Sequence, residues 1–320
     1  MAINGVETVL FGVEDLEVCR RFFTDFGLSV DFESKTEIGF KLPEGSRVIL
    51  RHVDDPSLPS PYIEGLGARE VIWGVDSQET LDELEADLKR DRSVARDSDG
   101  TLHTRDDYGL AIGFRIFNRQ PLPNDEELIN SPGRPERWNR HREWYSCAKP
   151  QLIHHVVFGC SDLDKSIAFY RNRLKFRITD IARDRGVFFR AEGRNDHHNI
   201  FWAKTGKQQF LHISFGVQNI DELLAGANHM QRQSWKSKLG LGRHRISSTL
   251  YFYIASPAGG EAEYSADTDC LDDSWQPRIW EPLFGNQHWV AALPPFLETP
   301  PAEDVQLLAD EHPDLARPAL

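Results

Sequence analysis

Three residues in the second half of the chain carry side chains that could hold a metal ion together: His155, His212 and Glu263. Each stands in a short apolar run typical of a β-strand. Two imidazoles and one carboxylate on strands of one cup form a face that leaves coordination positions open. This ligand set suits non-haem Fe(II) that must bind both a substrate and oxygen. A single histidine on a strand is more often a structural residue, so the hypothesis depends on the three residues jointly.

An internal repeat indicates how the three residues are positioned. The hexapeptide FGVEDL at 11–16 matches FGCSDL at 158–163, and the aromatic pair at 22–23 matches that at 169–170, with a constant offset of 147 residues. A second match, between WGV at 73–75 and FGV at 215–217, has an offset of 142 residues. The chain therefore consists of two similar halves, and each half contains two similar units.

The three candidate ligands break the symmetry of the repeat. In the order His155, His212 and Glu263, their counterparts in the first half are Thr8, Glu70 and Gly113. The first half thus offers no matching pair of imidazoles. We expect the first half to be a scaffold and the second half to carry the chemistry.

Each of the four units begins with a predicted strand, at 6–11, 70–75, 154–159 and 211–216. An Asp or Asn turn that can cap a helix follows, as at Asp76 and Asp162, and then an amphipathic stretch and several short β-like runs. This pattern predicts an α+β fold built by duplication. Chance similarity of amphipathic elements is the alternative, and two independent constant offsets weaken it.

Composition excludes several classes of function. The chain has 37 Lys and Arg against 50 Asp and Glu, a formal charge of −13 at pH 7, which argues against nucleic acid or an anionic membrane as a partner. No apolar run approaches the ~18–20 residues of a membrane span. The start of the chain lacks the features of a secretory signal, and the four cysteines are too scattered for a disulfide framework or a zinc site. We expect a soluble cytoplasmic protein.

The sequence resembles the type I extradiol catechol dioxygenases of the vicinal oxygen chelate superfamily. The resemblance covers roughly residues 2–267 and is strongest from His154 onward. It rests on residues 155–162, Phe169-Tyr170, Leu211-His212, Gly242-Arg243-His244, Tyr253 and 256–264. It implies four βαβββ modules that form two vicinal-oxygen-chelate domains, with iron only in the second.

The resemblance also implies roles for individual residues. His155, His212 and Glu263 match the iron ligands. His198 matches the histidine that faces bound oxygen, and His244 and Tyr253 match the pair that binds the substrate hydroxyls.

Two ambiguities and one departure accompany these assignments. His154 and His155 are adjacent, as are His197 and His198, and neighbouring side chains of a strand point to opposite faces. The family's spacing selects the second of each pair. Ser247, three residues after His244, occupies a position that is often acidic in biphenyl-type members.

We therefore expect a catechol-cleaving enzyme that uses Fe(II), or Mn(II), and O2 as co-substrate. The expected partners are a small aromatic diol and further copies of the chain. Arg243 near the site favours an acidic substituent on the diol. The alternatives are a non-oxidative isomerase or lyase of the same superfamily and a small-molecule-binding resistance protein.

The expected organisation has four parts. They are a metal-free domain at 1–120, a connection at 121–150, a catalytic domain at 151–268, and a C-terminal extension at 269–320 that becomes a mobile tail from Pro294. The segment between Trp275 and Trp289 is expected to pack on the body and to cover the pocket.

Overall fold

The first half of the chain forms two βαβββ units in the computed structural model, which describes residues 2–62, 65–123 and 128–319. The first unit consists of β1 (Ile3–Val13), α1 (Leu16–Asp25), β2 (Ser29–Glu33), β3 (Glu37–Lys41) and β4 (Arg47–His52). The second consists of β5 (Gly67–Val75), α2 (Gln78–Leu88), β6 (Ala95–Arg96), β7 (Leu102–Arg105) and β8 (Ala111–Ile116).

The second half repeats this order of elements. The third unit consists of β9 (Leu152–Cys160), α3 (Leu163–Ser166, continued by a π-helix at Ile167–Arg173), β10 (Arg177–Ala182), β11 (Gly186–Arg190) and β12 (Ile200–Lys204). The fourth consists of β13 (Gln209–Gly216), α4 (Ile220–Arg232), β14 (Ser237–Arg243), β15 (Leu250–Ala255) and β16 (Glu261–Ala266). The predicted α+β fold of four duplicated modules is confirmed.

Side-chain caps start the helices, as the turn residues predict. The carboxylates of Asp15 and Asp162 and the amide of Asn219 each accept a hydrogen bond from a backbone N–H in the first turn of their helix. In the second unit the cap lies one residue later than expected. Ser77 caps α2, because its hydroxyl accepts from the backbone N–H of Thr80, whereas Asp76 accepts from the Thr80 hydroxyl at 2.5 Å.

Two sheets carry the repeat, and their strand orders correspond. The first sheet runs β2-β3-β4-β1-β5-β8-β7-β6, and the second contains β14-β15-β16-β13-β9-β12-β11-β10 in its middle. The register corresponds as well. Ser214 on β13 lies opposite both His155 and Glu263, and Ile72 on β5 lies opposite both Thr8 and Gly113. The candidate ligands and their first-half counterparts therefore occupy equivalent places in the two sheets.

An aromatic core joins the two halves. The ring of Phe26 in the first half stacks on Tyr264 in the second with centroids 3.9 Å apart, and the Tyr264 hydroxyl donates to the Phe26 carbonyl. Phe11 meets Phe210 edge to face at 5.5 Å. Because these side chains are buried, the first half supports the back of the second sheet.

The C-terminal extension adds strands to both edges of the second sheet. Its elements are β17 (Arg278–Trp280), α5 (Pro282–Asn286), β18 (Trp289–Val290), a 3-10 turn (Pro295–Leu297), β19 (Val305–Leu307) and α6 (Leu308–Glu311). β17 pairs with β10, β19 with β17, and β18 with β14. Such pairing covers strand edges that would otherwise expose unpaired backbone groups.

The expectation of a mobile tail from Pro294 is wrong for its last part. Leu308 is fully buried, and Arg183 forms an ion pair with Glu311 at 2.7 Å. The expected packing of the segment between Trp275 and Trp289 on the body agrees with the structure, where Trp275 donates to the Thr179 carbonyl.

The connection between the halves has little regular structure where it is described, and residues 124–127 of it lie outside the described residues. The domain boundaries proposed at 120, 150 and 268 stay a prediction. All four cysteines are free thiols. Within the described ranges, the helices are too short or too polar for a membrane crossing.

Candidate metal centre and active site

His155, His212 and Glu263 come together at the centre of the second sheet, on the adjacent strands β9, β13 and β16. The Nε2 atom of His155 lies 3.1 Å from Nε2 of His212 and 3.1 Å from Oε2 of Glu263. The Nε2 atom of His212 lies 3.5 Å from the same oxygen. Three ligand atoms that are distant in sequence thus form a small triangle.

The triangle has the size of one face of a metal's coordination shell. Ligand atoms about 2.1 Å from a divalent ion and at right angles to one another lie about 3.0 Å apart. The chemistry of the three residues fits as well. Glu263 is 1% exposed, and neither carboxylate oxygen receives a hydrogen bond from the described residues. A buried carboxylate without a donor needs a cation beside it, so these residues fit a divalent metal ion.

Burial favours the neutral, metal-binding form of the two imidazoles. Burial lowers the pKa of His155 well below its usual value, and the neighbouring His212 acts in the same direction. Burial lowers the pKa of His212 to about 4, although Glu263 opposes this shift. Both rings are therefore uncharged near neutral pH, and each has a lone pair on one nitrogen that can bind a metal.

His154 points to the other face of β9, as alternation along a strand requires. Its Nδ1 atom lies 3.0 Å from the Ser265 hydroxyl, and its Nε2 atom lies 3.6 Å from Asp196. Of the two adjacent histidines, only His155 reaches the triangle.

His198 lies two residues before the start of β12, with its ring centroid 4.1 Å from that of His155. Burial lowers its pKa well below the usual value, and the charge of a protonated His155 would lower it further. Its neighbour His197 is fully buried and points away, toward Asp180 on β10. The structure therefore places His198, and not His197, beside the candidate metal ligands.

His244 and Tyr253 form a hydrogen-bonded pair on the opposite side of the triangle. Tyr253 lies opposite Glu263 in the β15–β16 ladder, and its hydroxyl lies 3.3 Å from Nε2 of His244. The Nδ1 atom of His244 contacts the Asn286 carbonyl of α5. Because a carbonyl only accepts, Nδ1 carries the proton, and Nε2 accepts from the tyrosine. Burial raises the pKa of Tyr253 well above its usual value.

One cavity of about 500 Å³ contains all six residues: His155, His198, His212, His244, Tyr253 and Glu263. Its walls are largely apolar and include the stacked rings of Phe188 and Phe201, whose centroids lie 4.0 Å apart. Ser247 also lines it, and its hydroxyl lies 2.8 Å from that of Thr249. The site is therefore a pocket that holds more than a bare catechol ring.

The segment between Trp275 and Trp289 covers the pocket, as expected, but through different residues from those that the sequence suggested. The cavity is lined by residues of α5 and its cap, namely Glu281, Pro282, Leu283 and Asn286, and not by the tryptophans around them. Arg243 does not serve the pocket as expected. Its guanidinium pairs with Asp267 at 2.7 Å and donates to the Ser248 carbonyl. No motif marks the Asn286 contact, because only tertiary packing brings α5 to His244.

The equivalent place in the first half cannot hold the same triad. A Cβ atom added to Gly113 would lie 2.8 Å from the Leu102 carbonyl oxygen, so a glutamate does not fit there without a shift of backbone. Glu70 instead pairs with His103, whose Nδ1 atom lies 2.7 Å away. The asymmetry read from the sequence thus has a steric basis.

Comparison with known proteins shows what the second half of the chain is similar to. Residues 152–264 match the family model of the Glyoxalase/Bleomycin resistance protein/Dioxygenase superfamily. Metapyrocatechase 2 of Cupriavidus necator is 26% identical over 283 residues, which cover 84% of this chain and 83% of that protein. An iron-dependent extradiol dioxygenase of Rhodococcus jostii is 28% identical, over 39% of this chain and 46% of that protein.

Solved structures share the fold over nearly the whole chain. The Mn(II)-bound glyoxalase from Novosphingobium aromaticivorans superposes with a TM-score of 0.73 at 20% identity, covering 94% of this chain and 96% of its own. The halotolerant catechol dioxygenase BphC superposes with a TM-score of 0.72 at 18% identity, covering 96% and 99%. At such identities the likeness concerns the fold.

Proposed function

We propose that the chain, whose residues 152–264 match the model of the Glyoxalase/Bleomycin resistance protein/Dioxygenase superfamily, is an extradiol catechol dioxygenase. It opens the ring of a catechol-type diol next to the two hydroxyl groups and inserts both atoms of O2. The product is of the 2-hydroxymuconic semialdehyde type. The observation that carries the proposal is one cavity in which His155, His212 and Glu263 meet three further polar side chains.

His155, His212 and Glu263 would hold a non-haem Fe(II) ion, or Mn(II) in its place. That ion would supply open coordination positions and a redox-active centre for the diol and O2. The charge of Glu263 leaves the site with a net charge near +1. A diol that loses one hydroxyl proton neutralises that charge, so the site favours the monoanion.

Tyr253 and His244 orient the diol from the side opposite His198. The Tyr253 hydroxyl and the His244 ring are held together at 3.3 Å, and the Asn286 carbonyl fixes the ring of His244. Groups held in place before the substrate arrives lower the reorganisation needed in the reaction. We assign binding of the substrate hydroxyls to this pair.

We assign proton transfer to His198, on the side of the site opposite His244 and Tyr253, where oxygen would bind. It lines the cavity beside His155, and its ring is neutral near pH 7 because burial lowers its pKa. A neutral imidazole takes up a proton during one step and returns it during another. We assign to His198 the stabilisation of charge that develops on oxygen and the return of a proton to the opened ring.

The strongest alternative is a non-oxidative isomerase or lyase, since a glyoxalase shares the fold. Such a reaction has no need of O2 or of His198 and Tyr253 in these places. A binding protein without metal would have no use for the buried, donor-free carboxylate of Glu263. Both alternatives predict that oxygen is not consumed.

The test is anaerobic loading with Fe(II), followed by a panel of catechols and then air. Oxygen uptake with a yellow ring-opened product is the expected result, and the same assay with Mn(II) compares the two metals. Iron binding without oxygen uptake across a broad panel would reject the dioxygenase in favour of the non-oxidative enzyme. Failure to bind iron would reject both the dioxygenase and the non-oxidative iron enzyme.

A further inference from the structure

A buried chain of three side chains leads away from the candidate metal site: His198, His197 and Asp180. The Nδ1 atom of His198 lies 3.1 Å from Nδ1 of His197, and Nε2 of His197 lies 3.0 Å from Oδ2 of Asp180. His197 and Asp180 are 0% and 1% exposed. The roles given above to His198 do not account for this arrangement.

The direction of the hydrogen bonds follows from their last member. A carboxylate only accepts, so Nε2 of His197 donates to Asp180. A neutral His197 then has a bare Nδ1, which accepts from Nδ1 of His198. His198 in turn carries its one proton on Nδ1, and its Nε2, on the other edge of the ring, is bare toward the cavity.

We propose that Asp180 and His197 are positioning residues that keep an acceptor nitrogen of His198 turned toward the substrate. This inference rests on the proposed function. In that reaction the proton that His198 later returns must first be taken up by Nε2, and the diol is its source. One proton leaves a diol hydroxyl for Nε2 and goes back to the product, so none is gained or lost over the cycle.

Asp180→Asn should reverse the direction of the hydrogen bonds from His198 through His197, because a second contact fixes the orientation of the new amide group. The other oxygen of Asp180, Oδ1, accepts from the backbone N–H of Arg278 at 2.7 Å. An asparagine would keep its oxygen toward that N–H and would turn its NH2 group toward Nε2 of His197. His197 would then donate from Nδ1, and His198 would carry its proton on Nε2.

The test is ¹⁵N NMR of histidine tautomers in the metal-free protein, with the His198 signals identified by their loss in His198→Phe. We expect Nδ1–H in the wild type and Nε2–H in Asp180→Asn. An Nε2–H tautomer in the wild type, or no change in the variant, would overturn the proposal. Because the spectrum needs no turnover, it decides this point even if the proposed reaction is wrong.

Kinetics of the iron-loaded enzyme provide a second readout. Loss of a side chain that orients a residue at a metal site typically slows an enzyme about 10- to 100-fold. We expect such a fall in kcat for Asp180→Asn with little change in KM for the diol. Asp196→Asn is the matched control, since Asp196 is a partly buried partner of His154 on the other face of β9. Equal losses in both variants would reduce the role of Asp180 to stability.

If Asp180→Asn does not fold, His197→Phe is the variant to test. It keeps an aromatic ring at position 197 but removes the hydrogen bond between the Nδ1 atoms of His197 and His198. His198 should then show both tautomers. A single Nδ1–H form in that variant would overturn the proposal.

A different observation bears on the substrate. Arg185 immediately precedes β11, Lys204 is the last residue of the neighbouring strand β12, and both are exposed side chains that line the cavity. Neither forms an ion pair within the described part of the chain, so both charges are available to a ligand in the cavity. Between them and His198 lie the stacked rings of Phe188 and Phe201.

The structure assigns to this cavity a diol whose apolar substituent ends in an acidic group. This inference also rests on the proposed function. Lys204 lies three residues beyond Phe201 on β12, about 10 Å at the rise of a strand. An apolar ring or chain of that length would pass the two phenylalanines and bring a carboxylate to the two cations.

The test compares catechols that carry a carboxylate-ended chain with their carboxamide analogues. We expect a lower KM for the acids than for the carboxamides. In the double variant Arg185→Gln, Lys204→Gln the KM for the acids should rise about fivefold, and added salt should reduce the difference between acid and carboxamide in the wild type. Lys207→Gln, in the exposed turn before β13, is the control. Equal KM values for acid and amide would overturn this proposal, while cleavage of neither would instead contradict the proposed function.

Discussion

His155 and Glu263 belong to strands that are separated by a third strand, yet their Nε2 and Oε2 atoms lie 3.1 Å apart. Two strand spacings put the backbones about 9.6 Å apart, so both side chains lean over β13 toward one point. The protein thus holds a bare carboxylate in a buried place. Such an arrangement costs stability without a cation and gives affinity for one.

Glu263→Gln should weaken Fe(II) and Mn(II) binding strongly while leaving the metal-free protein at least as stable as the wild type. The amide removes a buried charge of the metal-free state and a charged ligand of the metal-bound state. Calorimetric titration with each metal and urea unfolding of the metal-free proteins measure the two effects. Unchanged affinity would exclude Glu263 as a ligand.

Metal binding to the wild type should raise its melting temperature, and chelation should reverse the rise. A ligand that binds only the folded state adds about 2.7 kcal/mol at a concentration 100 times its Kd. His212→Ala should abolish the rise. An equal rise in that variant would show that the metal binds elsewhere.

His198→Phe should keep metal and diol binding but slow turnover about 10²- to 10⁴-fold, the range of a lost acid–base group. Phenylalanine preserves the ring that packs beside His155 and removes both nitrogens. Steady-state oxygen uptake gives kcat, and anaerobic titration with the diol gives its affinity. Wild-type turnover in the variant would remove His198 from the reaction.

Tyr253→Phe should lower kcat/KM about tenfold, because it removes one hydrogen bond to a charged diol. Tyr251→Phe is the matched control, since the Tyr251 hydroxyl donates to Gln287 at 2.5 Å and its ring stacks on His244. The two variants differ from the wild type by one hydroxyl each. An equal effect of both would point to the position of His244 rather than to contact with the substrate.

His103→Gln tests a pH-dependent contribution to stability far from the site. A hydrogen bond that the His103 ring donates to the Glu70 carboxylate raises the pKa of His103, against the opposing effect of burial. Because the folded pKa lies above the unfolded value of about 6.5, the contribution is fully present below that pH and is lost as the pH rises through the folded pKa. Urea unfolding should show the variant less stable by on the order of 1 kcal/mol at pH 5.5, with a smaller deficit at pH 9. A pH-independent difference would contradict the shift.

The sequence by itself determined the four modules and the candidate site residues. Periodic strands and capping turns are local signals, and repetition at constant offsets adds a check that a single unit lacks. The asymmetry at Thr8 and Gly113 was readable for the same reason. The orientation of the adjacent histidine pairs could be predicted only in part. The alternation of side chains along a strand says that one histidine of each pair faces inward, but not which one.

Only the tertiary structure decided the surroundings of these residues. The Asn286 contact of His244, the attachment of Asp180 to His197 and the burial of Leu308 each join segments that are distant in sequence. Arg243 looked available to a substrate until its pairing with Asp267 was visible. A sequence records which side chains exist and how they alternate along a strand. Which partners they meet depends on how sheets, helices and the C-terminal extension pack, and no local pattern carries that information.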